Sequence, residues 1–153
     1  MSIKSFKTAL EYRGLYLAEM IHLESAISLV ITSHFCPNDA DKKNELMDMV
    51  LYSPSFGMNL KTVILCRLLK DHYPDAYEGH EDLHDKFKKL TKLRNYFAHR
   101  DIDLNFDKGV RFLIHINPKG NNHLKNPTYT IKLLNEMLKE VGGVTDSLND
   151  LIE

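Results

Sequence analysis

The sequence predicts a mainly α-helical protein: a four- to five-helix up-and-down bundle with a small β-hairpin before the last helix. Apolar residues recur at steps of three and four over most of the 153-residue chain, which is typical of amphipathic helices. A strand-like alternation occurs around residues 110–116. The length suits one domain, so residues 1–153 are assigned to a single helical domain.

The first three helices follow from their apolar spacing and their boundaries. Helix one has a stripe that should make it central in the bundle, and it should end before Pro37. Helix two should be capped by Asp39 or Asp41. After a turn at 53–57, helix three is expected at about 59–71 and should stop at Pro74. The inward residues are expected to be Tyr16, Met20, Leu23, Ile27 and Val30 in helix one, Leu46, Met47 and Val50 in helix two, and Leu60, Val63, Ile64, Leu68 and Leu69 in helix three.

The second half of the chain predicts two more helices around the hairpin. Helix four is expected at about 80–100, with Leu83, Phe87, Leu90, Leu93 and Phe97 inward. The hairpin should pair a strand at 110–116 with a return strand at 128–131. The last helix keeps one phase through Leu134, Met137, Val141, Val144, Leu148 and Leu151. Two adjacent glycines weaken it by about 1 kcal/mol each relative to alanine, but the unbroken phase predicts one continuous helix.

Composition and charge exclude several classes of protein. Hydrophobic residues are 43% and charged residues 27%, which argues against a disordered tail or a collagen-like repeat. The net charge of −1 gives no global attraction for nucleic acid, so such binding needs a local basic patch. No signal peptide is visible and no apolar run approaches a membrane span, so we expect a cytoplasmic protein with no membrane partner. Cys36 and Cys66 are expected to be reduced and buried.

A zinc-protease pattern, His80-Glu81-Asp82-Leu83-His84, is a weak metal candidate. Histidines at positions i and i+4 of a helix can share a metal ion. However, the acidic, charged neighbours do not suit a dry catalytic pocket, and they fit the start of a helix, where the dipole favours carboxylates. We assign no metal and no other cofactor to the chain.

The stronger candidate site lies in helix four. On a helical wheel Arg94 falls inside the apolar stripe, which is costly unless a partner or a polar cleft receives its guanidinium. A structural ion pair with Glu19 or Glu24 would also explain it.

Polar residues of helix four form a second stripe, at steps of four, three and four. This stripe contains Lys88, Lys92, Asn95 and His99. An imidazole, a fixed guanidinium and mobile ammonium groups suit a phosphodiester, although the lysines also fit a solvated face.

The segment Arg94-Asn95-Tyr96-Phe97-Ala98-His99 resembles the R-x4–6-H motif of HEPN domains, in its R-N-x-x-A-H form. Its position late in a helical bundle, before an insertion and a final helix, is similar too. The upstream Ser55-Phe56-Gly57-x-x-Leu60 also resembles members of this superfamily.

This resemblance implies a homodimeric, metal-independent endoribonuclease of a toxin–antitoxin, phage-defence or RNA-processing system, with the two motif helices lining one cleft. His99 would act as general base or acid at the ribose 2′-OH or the leaving oxygen, and Arg94 would stabilise the charge on phosphorus. Asn95 would orient the phosphate or His99. The products would be a 2′,3′-cyclic phosphate and a 5′-hydroxyl. Lys88, Lys92 and Arg100 are the candidate RNA-binding residues.

A departure from one HEPN subset leaves the mode of regulation open. Toxins that a nucleotidyltransferase antitoxin modifies carry H-x-Y, whereas Asp101 stands at the tyrosine position here. An antitoxin or regulatory protein as partner remains an expectation. The alternative function is a non-catalytic HEPN-like regulator or adaptor, similar to mannitol-operon repressors, that dimerises and binds a protein or nucleic acid.

Overall fold

The computed structural model describes residues 3–78, 82–99, 101–105, 109–113 and 128–152, with side chains for 10–78, 82–99 and 129–152. The helices are α1 (Ile3–Phe35), α2 (Ala40–Leu46), α3 (Met58–His72), α4 (Pro74–Tyr77), α5 (Leu83–His99) and α6 (Ile131–Asp150). A π-helical segment, Met47–Leu51, continues α2. The strands are β1 (Asp101–Asn105), β2 (Gly109–Leu113) and β3 (Thr128–Tyr129). The described chain is therefore a helical bundle with a small sheet between α5 and α6.

Helix α1 is the centre of the bundle, because it contacts α3, α5, α6 and β1. The five stripe residues predicted for it, Tyr16, Met20, Leu23, Ile27 and Val30, are all buried. It ends at Phe35, before Pro37, as expected. The steps of three and four in the sequence therefore identify the core side of this helix correctly.

Helix α1 also corrects the expectation that no segment is long and apolar enough for a membrane span. Its stretch Leu10–Phe35 meets that criterion by length and composition. The central helix of a soluble bundle meets it as well, and 44% of the apolar window is buried inside the protein. The cytoplasmic location therefore stays a prediction.

Helix α2 begins at the expected cap but buries less than predicted. The Asp39 carboxylate accepts a hydrogen bond from the Lys42 backbone N–H at 2.9 Å. Leu46 and Met47 are only half-buried and Val50 is exposed, whereas Leu51, at the end of the π-helical segment, is buried. The wider π-helical turn changes the phase of the helix, so the predicted face was wrong here.

Helix α3 also presents a different face from the predicted one. Leu68 and Leu69 are buried as expected, but Leu60 and Val63 are each 44% exposed. The inward positions near the start of the helix are occupied by Lys61, Thr62 and Leu65 instead. A second stripe with the same spacing runs through these residues, and the core uses it because a carboxylate on α1 neutralises the buried lysine.

Helix α5 packs against α1 with the face that the sequence predicts. Leu83, Phe87, Leu90, Leu93 and Phe97 are all buried. The Tyr16 hydroxyl donates a hydrogen bond to the Leu90 carbonyl at 3.3 Å, and the rings of Tyr16 and Phe97 lie 5.2 Å apart. These contacts fix the rotation of α5 and hence the direction in which its polar residues face.

A three-stranded antiparallel sheet replaces the predicted two-stranded hairpin. Val110 of β2 pairs with Tyr129 of β3, and the unexpected strand β1 covers the other edge of β2. Residues 114–127 lie outside the described residues. The predicted return strand is shorter than expected, because the Thr130 hydroxyl caps α6 by accepting a hydrogen bond from the Leu133 N–H at 3.1 Å.

Helix α6 is one continuous helix through Gly142 and Gly143, as its apolar phase predicts. Its inward residues divide into a fully buried set, Leu134, Val141 and Leu148, and a partly buried set, Met137, Val144 and Leu151. The two glycines therefore do not interrupt the packing of α6 on α1.

Candidate functional site

A cavity of about 460 Å³ opens between α1, the segment 51–59 and α5. Helix α5 supplies Thr91, Arg94 and Asn95 to its wall. The segment 51–59 includes Phe56 and Gly57 of the upstream motif, so the structure brings that motif and the R-N-x-x-A-H helix to one cavity. The remaining lining residues are Met20, Ile21, Glu24, Leu51, Tyr52, Ser53, Pro54, Met58 and Asn59.

Arg94 is exposed at this cavity and is not part of a structural ion pair. Its Nη1 donates a hydrogen bond to Asn95 Oδ1 at 3.2 Å. Within the described ranges no carboxylate pairs with it, and Glu24 pairs with Lys61 instead. The alternative that Arg94 serves Glu19 or Glu24 is therefore wrong. In this structure the Asn95 side chain orients Arg94, whereas the sequence analysis expects it to orient the phosphate or His99.

An ion pair between the buried Lys61 of α3 and the partly exposed Glu24 of α1 adjoins the cavity. Lys61 Nζ lies 2.6 Å from Glu24 Oε1 and 5.1 Å from the centre of the Tyr52 ring. The lysine side chain is 1% exposed, whereas Glu24 is 33% exposed and lines the cavity. Sequence reasoning missed Lys61, although a lysine on an otherwise apolar stripe was the available signal.

Lys88 and Lys92 line a second cavity, of about 420 Å³, that adjoins the first. The two cavities share Asn59, Thr91 and Asn95, so they form one groove along α5. Lys88 also forms an exposed ion pair with Asp85 at 3.5 Å, which contributes little because water screens it. The predicted lysine stripe is thus placed along the groove that Arg94 borders.

His99 is not brought into either of these cavities in the part of the chain that the structure describes. It is the last residue of α5 and is exposed. It follows Arg94 by five positions, about 140° around a helix, so one copy presents the two side chains on different faces. Arg100 lies outside the described residues.

The zinc-protease pattern and the two cysteines do not form a second site among the described residues. His80 and Glu81 lie outside the described residues, and the Nε2 of His84 is buried without a hydrogen-bond partner among described atoms. No three His, Cys, Asp or Glu side chains in the described ranges are placed to share a metal ion. Cys36 and Cys66 are free but half-buried, less buried than expected, and burial raises the pKa of the Cys66 thiol.

No family model, curated protein or solved structure matches this chain. The function must therefore be inferred from the residues of the groove and from the motif they carry.

Proposed function

We propose that this protein is a HEPN-like, metal-independent endoribonuclease that acts as a homodimer through α5. Such an enzyme would serve a cytoplasmic toxin–antitoxin, phage-defence or RNA-processing system. The observation that carries the proposal is the position of the Arg94 side chain and the groups around it. Its guanidinium lines an open groove, Asn95 holds it in place, and no carboxylate in the described ranges neutralises it. A fixed cation in a groove is suited to bind a phosphodiester.

Arg94 and the lysines divide the work of binding RNA. Arg94 stabilises the extra negative charge that develops on the phosphorane oxygens. Lys88 and Lys92 lie on the same groove and are mobile, exposed cations, so they bind neighbouring phosphates without fixing a geometry. Arg100, the next residue in the sequence after α5, is the third candidate for binding RNA. Arg94 and the two lysines give the groove a local positive charge, whereas the net charge of −1 on the whole chain gives no attraction for RNA.

His99 performs the proton transfer. Its imidazole removes the proton of the ribose 2′-OH, the 2′-oxygen attacks phosphorus, and the bond to the 5′-oxygen breaks as that oxygen takes up a proton from water. The products are a 2′,3′-cyclic phosphate and a 5′-hydroxyl, and the reaction needs no cofactor.

A dimer explains why Arg94 and His99 diverge within one copy. Two α5 helices that face one cleft present the His99 of one copy to the groove of the other. The resemblance to HEPN domains implies a cleft lined by both motif helices, and in such a cleft the partner completes the site of the proposed enzyme.

The test is cleavage of RNA by purified protein in EDTA, with Arg94→Ala and His99→Ala beside the unchanged chain. We expect losses of about 10²–10³-fold for Arg94→Ala and about 10²–10⁴-fold for His99→Ala, with unchanged circular dichroism. Lys132→Ala, which removes an exposed cation of α6, is the matched control and should retain full cleavage.

Mixing the two inactive variants tests the composite site. Heterodimers contain one intact pair made of His99 from one copy and Arg94 from the other, so cleavage should return in part. A mixture that stays inactive, although mixed dimers form, contradicts the composite site. Cleavage that survives His99→Ala contradicts the catalytic role. Binding of RNA without cleavage would favour the regulator instead.

A further inference from the structure

We propose that the cavity beside Arg94 binds a guanine base, with the Glu24 carboxylate as the group that recognises it. This inference rests on the proposed ribonuclease, because it places the base next to the phosphate that Arg94 would bind. It assigns to the enzyme a preference for guanosine adjoining the cleaved bond.

Glu24 is presented to the cavity as a fixed hydrogen-bond acceptor. Its side chain is one-third exposed and lines the cavity, while Oε1 is held at 2.6 Å by the buried Lys61 ammonium. In the described ranges no donor bonds to Oε2. Since carboxylate oxygens each accept more than one hydrogen bond, both oxygens can accept from a ligand. Lys61 is a positioning residue, because it acts on a ligand only through Glu24.

Guanine is the base that complements such a carboxylate. Its N1–H and N2–H₂ donors stand side by side, so they donate to the two carboxylate oxygens together. Uracil offers a single ring N–H, and adenine and cytosine place an acceptor nitrogen beside their amino group, which a carboxylate repels. A site built around a buried polar group rejects analogues that leave it unpaired.

The rest of the cavity wall also suits a base. Tyr52 is 49% exposed and lines the cavity, so it offers an aromatic surface against which a base can stack. Asn59 supplies an amide that can meet the guanine O6 acceptor. The volume of about 460 Å³ lies within the range of small-molecule sites. Arg94, in the same wall, supplies the cation for the attached phosphate.

The test compares 5′-GMP with 5′-IMP, which differs only by lacking the N2 amino group, in NMR titrations of the full chain. We expect 5′-GMP to bind at least 10-fold more tightly than 5′-IMP, and Glu24→Gln to remove that preference. Glu45→Gln makes the same charge change on the exposed face of α2 and should preserve it. If Glu24→Gln fails to fold, Glu24→Gln with Lys61→Met removes both charges of the pair and serves as the second variant.

The outcomes separate the inference from the proposed function. Selective binding of 5′-GMP together with cleavage beside guanosine supports both. Selective binding without cleavage of any RNA keeps the guanine site, assigns it to free nucleotides and overturns the ribonuclease. Equal binding of 5′-GMP and 5′-IMP, or a preference that survives the loss of Glu24, overturns the guanine site even if RNA is cleaved.

Discussion

Two cavities of the same volume, about 460 Å³, lie in different parts of the bundle and differ in their charge. The cavity beside Arg94 brings a guanidinium, amides and a lysine-paired carboxylate together. The cavity between α4, α5 and α6 is lined by leucines and valine, and its charged lining residues are Asp75, Glu78 and Glu140. Among the described residues, no lysine or arginine lines the cavity beside α6.

This difference shows that volume alone does not locate a site for RNA. A phosphate is attracted by the fixed cation of the cavity beside Arg94 and repelled by the carboxylates of the cavity beside α6. The groove along α5 also continues from the first cavity toward Lys88 and Lys92, whereas the cavity beside α6 has no such extension among its described lining residues. We therefore expect substitutions at the cavity beside Arg94 to change the cleavage rate, and those at the cavity beside α6 to change the free energy of unfolding.

The largest effect is expected at Arg94. Arg94→Ala should lower cleavage by about 10²–10³-fold, because it removes the charge that stabilises the phosphorane. Arg94→Lys should recover only part of the rate, since an ammonium group cannot reproduce the planar guanidinium fork. Initial rates on one RNA substrate measure both variants. Glu140→Gln, in the cavity beside α6, is the control, and an equal loss there would remove the distinction between the two cavities.

Leu148→Ala tests the cavity beside α6 as a structural feature. The side chain is buried in the core, so truncation should lower the free energy of unfolding by about 3 kcal/mol. Urea denaturation measures this change. The cleavage rate per folded molecule should stay the same, and a specific loss of activity would show that this cavity takes part in function.

Removing Glu24 should lower the free energy of unfolding more than removing Lys61 does. Glu24→Ala leaves the fully buried ammonium without its carboxylate and should cost about 3 kcal/mol. Lys61→Met should cost about 1 kcal/mol, because it keeps the buried volume and the partly exposed carboxylate can be hydrated. Urea denaturation of both variants decides the order. Equal costs would contradict the asymmetric burial of the pair.

Tyr16→Phe should have the smallest effect, about 1 kcal/mol at neutral pH, because it removes the hydrogen bond to the Leu90 carbonyl. Burial, followed by the nearby Tyr129 and Glu140, raises the pKa of Tyr16 in the folded protein. The stabilisation of the folded protein by Tyr16 is therefore complete below about pH 10, which is the pKa of an unfolded tyrosine. It is lost as the pH rises above that pKa. Thermal unfolding between pH 8 and 11 should show a smaller alkaline loss for Tyr16→Phe.

The sequence predicts best where one apolar stripe is unambiguous. Helix α5 shows this most clearly, because its five predicted core residues are buried and lysines occupy much of its exposed side. The five stripe residues predicted for α1 are buried too, although that helix also exposes apolar residues such as Leu15 and Ile21. In α3 two stripes have the same spacing near the start of the helix, and the one through Leu60 and Val63 is exposed. The choice depends on Glu24, which is distant in sequence, so local periodicity could not make it. Strand β1 was missed although Asp101–Asn105 alternates polar and apolar residues.

The candidate site was predicted in part. The motif identified Arg94 and Asn95, and the helical wheel placed the lysines on a shared stripe that the structure extends along one groove. The wheel could not show that the segment 51–59 closes the cavity, because that contact is tertiary. It also did not pair Lys61 with Glu24, because the position of Lys61 on an apolar stripe does not show which carboxylate neutralises it.

The most direct test of the account is the chemistry of the RNA ends that the purified protein leaves in EDTA. The unchanged chain should produce 2′,3′-cyclic phosphates and 5′-hydroxyls, and His99→Ala should produce neither above background. That result would establish the ribonuclease, its independence of metal and the role of His99 together. Fragments with 3′-hydroxyl and 5′-phosphate ends, or equal cleavage by His99→Ala, would contradict the account.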